Sequence, residues 1–370
     1  MTDLFHYEKQ SDKQAMIKPG GKKRKKIQFI EELKEGETVN DLFSVKHKNA
    51  PRGYKKGTFF DLVLTDKTGQ INVKFWGGDN KERVKRLYDS FATGDVVQLR
   101  SGSVERYNDR LQISINEKTG GIRRCNTQEY DESDFIAALS EEEIKRLFES
   151  LQTYIETISN PSLKALLQSF FEDEDFVRDY THTPSAMSHH HNVIGGNLQH
   201  SLGVVKLSYT IAEYYTDLDR DLLITGAILH DIGKIKSYKT TTTIGRTDIG
   251  NFFGHIVVGS QWIQDKISGL RKKDVSFDEI LELKLCHMIL SHHGRLEYGS
   301  PKLPAFPEAA ALYQADLMDS QVKNFLQKIE KEKNDVDEHW SFMYDSDING
   351  RKPVYVDFEE QKDESVEDLV

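Results

Sequence analysis

Histidine and aspartate residues are concentrated in one part of this 370-residue chain, and their types suggest a metal site. Ten of the thirteen histidines lie between His182 and His293. Neutral imidazole and carboxylate groups together are the ligand set of a hard-to-borderline divalent metal ion. Apart from one adjacent pair, the candidate ligands are far apart in the sequence. They are His200, His230, Asp231, His255, His292 and Asp316.

The adjacent pair His230 and Asp231 begins the segment His-Asp-Ile-Gly-Lys and ends an apolar helix predicted over residues 222–229. A charged carboxylate at the end of such a buried run is costly unless it is paired or bound to a metal. One His-Asp pair is common by chance, but six residues in order, each in a helical context, indicate one site. The competing interpretation is a helical bundle whose histidines and aspartates are unconnected.

Residues beside the candidate ligands could contact a phosphate or support an ion. Lys234 follows Asp231 by one helical turn, and could either hold a phosphate oxygen or pair with that carboxylate. Only one of the neighbours His292 and His293 usually faces the same ion, and we predict His292 as the ligand. The candidates for substrate contact are therefore Lys234, His190, His191, His293 and Arg295, and Asp319 is a fallback ligand.

The candidate site falls within residues 140–332, which are predicted to be all-α. A helix begins after Ser140, and its apolar residues recur every three or four positions, as one buried helix face requires. The helical period continues to about residue 332 apart from loops at 237–253 and 294–307. Over residues 180–330 the order H…HD…H…H…D resembles the HD superfamily of metal-dependent phosphohydrolases.

Residues 27–125 are predicted to form short strands. Residues 39–45 are the first candidate strand. Residues 58–65 and 70–76 alternate apolar and polar side chains around a turn, as in a β-hairpin. A helix at 81–90 and two further strands, 96–105 and 110–115, follow. Five strands with a helix between the third and fourth resemble an OB-fold barrel, as do the motifs D-x-T-G at 66–69 and GDVV at 94–97. That resemblance implies nucleic-acid binding across the second and third strands.

Aromatic and basic residues lie in this region where a single strand could stack and be neutralised. Stacking on an aromatic ring contributes ~1–3 kcal/mol per base and tolerates any sequence. Phe59 and Phe60 are adjacent in an alternating strand, so one faces the core, and the sequence does not say which. The candidate nucleic-acid contacts are Tyr54, Lys56, Phe60, Lys74, Trp76, Arg106, Tyr107 and Arg110.

Charge is distributed unevenly along the chain. The net charge is −10, yet residues 1–125 hold 26 Lys and Arg against 17 Asp and Glu. A basic front part on an acidic protein indicates a polyanion binder joined to another module. Around these two domains we predict a basic flexible arm at 1–26, an acidic linker at 126–139 and an acidic tail at 333–370 that contains a hairpin.

Composition excludes several other classes of protein. No apolar run approaches the ~18 residues of a membrane helix, and no signal peptide precedes the polar N-terminal sequence. The two cysteines, Cys125 and Cys286, form neither a CxxC motif nor a disulfide framework. A GxxxxGK[ST] phosphate-binding loop is absent from the sequence. We therefore expect a cytoplasmic protein without a membrane partner, and the sequence leaves a homo-oligomer open.

The combination of the two modules resembles the YhaM family of 3′-5′ exoribonucleases, in which an OB-fold precedes an HD domain. The segments that carry the resemblance are HHHNVIGGNLQHSLGVV at 189–205, AILHDIGKI at 227–235, FGHIVVGSQWI at 253–263 and SHHGRLEYGSPKLPAFPEAAALYQADLMDS at 291–320. The basic arm and the acidic tail depart from that pattern. The resemblance implies single-stranded RNA as the substrate, and single-stranded DNA stays open.

The resemblance also implies how two ions would be held. Asp231 would bridge them, His200 and Asp316 would complete one shell, and His255 and His292 the other. Two ions clamp a phosphodiester and activate the attacking water. This ligand set suits manganese, cobalt or iron better than magnesium alone. The alternatives are a nucleotide or cyclic-dinucleotide phosphohydrolase with a regulatory OB module, and a nucleic-acid binder with a vestigial site.

Overall fold

The computed structural model describes residues 23–108, 110–186, 193–332, 340–345 and 350–355. The chain divides into two compact units, residues 1–134 and 135–370. The division falls inside the segment 126–139 that the sequence predicts as a linker. That segment is folded into two 3-10 turns, Thr127–Glu129 and Glu132–Asp134, and it buries Tyr130 and Phe135.

The first unit is built on a β-barrel. Its elements are β1 (Thr38–Val39), β2 (Leu42–Lys48), β3 (Arg52–Tyr54), β4 (Gly57–Asp66), β5 (Gly69–Trp76), α1 (Lys81–Asp89), β6 (Val96–Arg100), β7 (Gly102–Tyr107), β8 (Arg110–Asn116) and β9 (Gly121–Arg124). Strand β4 pairs antiparallel with β2 and β5, and β5 pairs parallel with β8. Strands β6 and β7 bend at Ser101 and close the sheet against β2 and β8 respectively. This is the predicted OB-fold.

Alternation along the strands fills the barrel. In β4 every second residue is buried, and the inward set includes Phe60, Leu62 and Leu64. Phe75 of β5 stacks on Phe60 with ring centroids 4.9 Å apart. The apolar residues of both strands therefore form one core, and their neighbours in sequence form the outer face.

The segment before the barrel is only partly described, since residues 1–22 lie outside the described residues. Lys26 corrects the expectation of a flexible arm extending to residue 26. Its side chain is fully buried, and its ammonium lies 3.2 Å from the Asp66 carboxylate and donates to the carbonyl oxygen of Leu42 at 2.7 Å. The last residues of the predicted arm are thus fastened to the barrel.

The second unit is helical, with two small hairpins. Its elements are α2 (Glu141–Glu156), α3 (Pro161–Phe171), α4 (Glu174–His182), α5 (Gly196–Tyr214), α6 (Arg220–Leu229), α7 (Lys234–Ser237), β10 (Tyr238–Thr240), β11 (Ile244–Arg246), α8 (Asp248–Phe252), α9 (Gly254–Arg271), α10 (Glu279–Ser291), α11 (Pro307–Glu332), β12 (Trp340–Asp345) and β13 (Gly350–Tyr355). Several helices begin with a residue whose side chain caps the helix N-terminus. At the start of α6, for example, the Asp219 carboxylate accepts a hydrogen bond from the backbone amide of Leu222.

Helix α6 lies at the centre of this unit, because every residue from Leu222 to Leu229 is buried. Helix α5 and helix α11 pack against it, so the chain leaves the core at His230 with a polar pair that has no access to bulk water. The hairpin of β12 and β13 packs on the end of α11, where Val354 meets Ile329 and Phe325. Within the described residues no helix is both long and apolar enough to cross a bilayer.

Candidate active site

Five helices bring the six candidate ligands together. His200 belongs to α5 and Asp316 to α11, while His255 lies in the first turn of α9. His230 and His292 stand at the C-terminal ends of α6 and α10, and Asp231 follows His230 directly. Asp231 is 1% exposed, so its carboxylate depends on these neighbours for charge compensation.

The two carboxylate oxygens of Asp231 face different histidines. Its Oδ2 atom lies 3.1 Å from Nε2 of His230 and 3.5 Å from Nε2 of His200. Its Oδ1 atom lies 3.4 Å from Nε2 of His255 and 3.8 Å from Nε2 of His292. Nε2 of His200 is also 3.0 Å from Oδ1 of Asp316. Asp231 therefore stands between two groups of ligand atoms.

The imidazole rings are held so that Nε2 faces the site. Nδ1 of His230 donates to the carbonyl oxygen of Ala227 at 2.8 Å, and Nδ1 of His292 donates to that of Ile289 at 2.6 Å. A carbonyl oxygen only accepts, so Nδ1 carries the proton and the lone pair on Nε2 is available to a metal. In both cases the acceptor is three residues earlier in the same helix.

Among the residues that the structure describes, three buried atoms at this site have no hydrogen-bond partner: Oδ1 of Asp231, Nε2 of His255 and Nε2 of His292. Leaving such groups dry and unpaired costs free energy that a bound cation would recover. Within the described part of the chain, two sets of ligand atoms each lie within 4.8 Å of one another: those of His200, His230 and Asp231, and those of His255, His292 and His293. The nitrogen and oxygen donors therefore fit divalent metal ions.

The pKa shifts follow from burial and from the carboxylates. Burial lowers the pKa of His255 to about 3, and it holds the pKa of His292 well below its usual value. Burial alone would also lower the pKa of His200, but hydrogen bonds to Asp316 and Asp319 outweigh it and raise that pKa to about 9. Two histidines are thus neutral at pH 7, and one is protonated in the metal-free protein.

Lys234 contacts the site from the turn after the His-Asp pair. Its ammonium lies 2.5 Å from Oδ2 of Asp231 and 3.4 Å from Oγ of Ser185. The turn itself depends on Gly233, since a Cβ there would overlap the carbonyl oxygen of His255. The sequence left open whether Lys234 holds a phosphate oxygen or pairs with Asp231, and the structure contains the ion pair with Asp231. Ser185 carries no sequence signal that would have indicated it.

The other predicted contacts are placed as follows. Nδ1 of His293 donates to the carbonyl oxygen of Tyr298 at 2.9 Å, and the ring belongs to the second set of ligand atoms beside His292. Arg295 is exposed, with its guanidinium 5.5 Å from the ring centre of Tyr298. His190 and His191 lie outside the described residues.

Asp319, predicted as a fallback ligand, instead contacts the ring nitrogen of His200 that faces away from the other ligands. Its Oδ2 atom is 2.7 Å from Nδ1 of His200.

An aromatic cluster covers the outer face of the barrel. We define it as Tyr54, Phe59, Trp76 and Tyr107, with Lys74 among them. The ring of Trp76 lies 5.0 Å from that of Tyr54 and 5.4 Å from that of Phe59. The ammonium of Lys74 is 5.2 Å from the Trp76 ring and 5.8 Å from that of Tyr107, which is 59% exposed. Four of the predicted contacts thus share one surface.

One predicted nucleic-acid contact, Phe60, is corrected by this geometry, and Arg106 lies apart from the aromatic cluster. Phe60 is fully buried in the barrel core, so Phe59 takes its place on the outer face. Arg106 pairs with Leu111 across β7 and β8, on the opposite side to Tyr107, and its guanidinium is bonded to Glu35 at 3.2 Å. Lys56 and Arg110 are exposed.

An OB-fold joined to a buried His-Asp cluster that fits metal ions defines a class of protein, the metal-dependent nucleases. Family models match both halves. The HD domain model matches residues 197–321, and the OB-fold nucleic acid binding domain model matches residues 44–119. The solved structure of a replication factor A related protein from Methanobacterium thermoautotrophicum is 20% identical and covers 28% of this chain and 94% of its own, with a TM-score of 0.24.

Relatives of full length extend the similarity across both units. A Listeria monocytogenes protein named 3′-5′ exoribonuclease YhaM is 31% identical over 301 residues, which is 80% of this chain and 89% of that protein. The Bacillus subtilis protein of the same name is 28% identical over 298 residues, 80% of this chain and 90% of its own length. The chain belongs to the YhaM family of 3′-5′ exoribonucleases.

Proposed function

We propose that this protein shortens single-stranded RNA from its 3′ end and releases nucleoside monophosphates, using two divalent ions held around Asp231. The observation that carries the proposal is the division of the Asp231 carboxylate, whose Oδ2 atom faces His200 and His230 while Oδ1 faces His255 and His292. One carboxylate between two sets of imidazoles is the arrangement that a bridged pair of ions requires.

His200, His230 and Asp316 would hold one ion and His255 and His292 the other, with Asp231 shared. We propose manganese as the ion, with cobalt or iron as alternatives. These three ions accept both nitrogen and oxygen donors, whereas magnesium prefers oxygen alone. Bound ions would lower the pKa of the attacking water and would neutralise negative charge on the phosphate. His293 adds a further imidazole to the second group of ligand atoms.

Hydrolysis is proposed at the last phosphodiester of the strand. The water oxygen attacks phosphorus, the bond to the 3′ oxygen of the preceding nucleotide breaks, and a proton passes to that leaving oxygen. Lys234, held by Asp231 and Ser185, places a positive charge at the edge of the site where it offsets the phosphate charge. Arg295, exposed three residues after His292, is proposed to contact a phosphate as well.

The OB unit is proposed to hold the strand that the HD unit degrades. Its aromatic cluster offers rings on which bases stack without regard to sequence, and Lys74 and Arg110 supply positive charge for the backbone. The names of the relatives support RNA as the substrate of this chain, and we propose RNA before single-stranded DNA.

One assay tests the proposal. The full-length protein is incubated with manganese and 5′-labelled single-stranded RNA or DNA, and with free nucleotides in a parallel reaction. We expect a ladder that shortens from the 3′ end of RNA, and its loss in Asp231→Ala while RNA affinity in EDTA is retained. Internal cuts, hydrolysis of free nucleotides alone, or no cleavage would each overturn the proposal.

A further inference from the structure

The connection between Asp231 and His255 is unusual in charge and in exposure. It runs through α7, the hairpin of β10 and β11, and α8. From Lys234 to Arg246 it contains four basic residues and no acidic residue, although the whole chain has a net charge of −10. It then presents two phenylalanines, Phe252 and Phe253, immediately before the first turn of α9. Positive charge followed by exposed aromatic rings is the pattern of a single-strand contact.

The phenylalanine pair is exposed although it belongs to an ordered part of the fold. Phe252 is 83% exposed and Phe253 is 52% exposed. Single exposed apolar side chains are common on protein surfaces, but two adjacent exposed rings form a contiguous apolar patch, and such patches mark interaction sites. The pair therefore needs an occupant that is flat and apolar on its faces.

Hydrogen bonds of the Thr247 hydroxyl hold α8, the helix that ends at Phe252, against α7. The Thr247 hydroxyl donates to the carbonyl oxygen of Lys236 at 2.7 Å and accepts from the amide of Gly250 at 3.0 Å, which ties α8 back to α7. Phe253 precedes His255 by only two residues. The connection thus presents its rings from a rigid base.

The ligand that follows the pair in the chain, His255, is itself partly exposed. The side chain of His255 is 17% exposed, whereas those of His230 and His292 are fully buried. A substrate must approach from the side where the ligands meet solvent, so the exposed edge of His255 marks the entrance. Phe252 and Phe253 adjoin that edge through the chain itself.

The hairpin adds a positive charge to the same region. Tyr238 and Arg246 are paired in register, so their side chains share one face of the hairpin. Arg246 is exposed, while the neighbouring Lys236 is engaged over the Trp262 ring at 3.9 Å. Arg246, six residues before Phe252 in the chain, is therefore available to a phosphate.

We propose that Phe252 and Phe253 stack the 3′-terminal bases of the substrate strand, and that Arg246 holds a phosphate of the same nucleotides. This proposal rests on the proposed function and deepens it, since it assigns recognition of the strand end to the HD unit, separately from the aromatic cluster of the barrel. The occupant is a nucleobase rather than a second copy of the chain, because the connection carries four basic residues against one acidic residue, Asp248, and the pair precedes the ligand His255 directly in the chain.

Binding without catalysis provides the first test. RNA with the fluorescent base 2-aminopurine at its 3′ end is titrated with the full-length protein in EDTA, where cleavage is absent. We expect the 2-aminopurine fluorescence to fall on binding when the probe is terminal, and to stay unchanged when the probe lies ten nucleotides inward. In Phe252→Ala/Phe253→Ala the quenching should disappear and the Kd should rise about tenfold, the scale of one stacked base.

A second exposed aromatic pair of the same unit gives the matched control. Tyr214 and Tyr215 are 79% and 59% exposed at the C-terminal end of α5, the end opposite to the ligand His200. Tyr214→Ala/Tyr215→Ala should keep the parental quenching and Kd, and Phe252→Trp should restore quenching in the Phe253→Ala background. Parental quenching in the Phe252→Ala/Phe253→Ala protein, or equal losses in both double variants, would overturn the proposal.

An abasic 3′ end separates base stacking from general damage to the site. In manganese, we expect the parent protein to degrade normally ended RNA about tenfold faster than abasic-ended RNA at low concentration, and the phenylalanine variant to show a ratio near one. An unchanged ratio would contradict stacking, as would a variant that loses self-association instead. If the parent fails to shorten RNA at all, the proposed function fails, while the EDTA titration still judges the phenylalanine pair.

Discussion

Nδ1 of His200 lies 2.7 Å from Oδ2 of Asp319, on the opposite side of the imidazole ring from the Nε2 atom that faces Asp316. The other oxygen of Asp319 is 3.2 Å from the ammonium of Lys323. A carboxylate bonded to the far nitrogen of a ligand histidine fixes the ring and makes its free nitrogen more basic. Asp319 therefore acts on the site through His200.

Replacing Asp319 by asparagine should weaken the metal site without removing a ligand. Asparagine can still accept from Nδ1 of His200 but lacks the charge, so we expect the manganese concentration for half-maximal activity to rise about 10–100-fold. The measurement is RNA degradation across a manganese titration. Asp217→Asn, at an exposed carboxylate, should leave the titration midpoint unchanged. An equal midpoint in Asp319→Asn would show that the contact does not support the ligand.

Gly203 gives an independent test of the same contact. A Cβ at Gly203 would overlap the Asp319 carboxylate, which is already fixed by His200 and Lys323. We expect Gly203→Ala to lower the free energy of unfolding by about 1–3 kcal/mol, the usual effect of overpacking. It should also raise the manganese requirement, because Asp319 has to move.

Gly269 is the matched control for that substitution. It also lies in a helix, α9, but no atom of the described residues stands within 4 Å of an added Cβ. Gly269→Ala should therefore raise the free energy of unfolding by about 0.4–1 kcal/mol, chiefly by restricting the unfolded chain. Denaturant unfolding followed by helical circular dichroism measures both variants. A change of the same sign in the two would contradict the packing argument.

Protons and metal should compete at His200. In the metal-free protein the pKa of His200 is about 9, so at pH 7 a proton must leave before Nε2 can bind a cation. The pKa of His255 is about 3, so that ring is already neutral. We expect the affinity for the ion at His200 to rise by up to tenfold per pH unit between pH 7 and 9.

Calorimetric manganese titrations in buffers of different ionisation enthalpy measure the protons released. About one proton should leave with the ion at His200 at pH 7, and none with the ion at His255, because only the first ring is charged there. His200→Gln should abolish the release. A pH-independent affinity at both positions would show that His200 is neutral in the metal-free protein.

The sequence predicts much of this site because its chemistry is concentrated in residue types. Histidines and aspartates are costly to bury without a function, so their order along predicted helices already indicates one cluster. The sequence does not predict which carboxylate contacts which nitrogen of His200. Asp316 and Asp319 lie one helical turn apart, and periodicity places both on the same face of α11 without saying which meets Nε2 and which Nδ1.

The barrel shows a different limit. Alternation predicts that Phe59 and Phe60 face opposite sides, but it does not define which side is the core, because that depends on pairing with distant strands. Lys26 illustrates a third limit. A run of five basic residues indicates a solvated arm, and only the tertiary fold supplies the buried Asp66 that accepts the last of them.

Alanine substitutions at Phe59 and Phe60 should have different effects on stability and on RNA affinity. Phe60→Ala removes a fully buried ring stacked on Phe75, so we expect the free energy of unfolding to fall by about 3–5 kcal/mol. Phe59→Ala removes an outer ring beside Trp76, so its effect on unfolding should stay within about 1 kcal/mol. RNA affinity in EDTA should nevertheless fall about tenfold in Phe59→Ala, because a stacking surface is lost. Denaturant unfolding and fluorescence anisotropy titrations with RNA measure both effects on both proteins. If Phe59→Ala bound RNA like the parent, the aromatic cluster would not be part of the proposed RNA-binding surface.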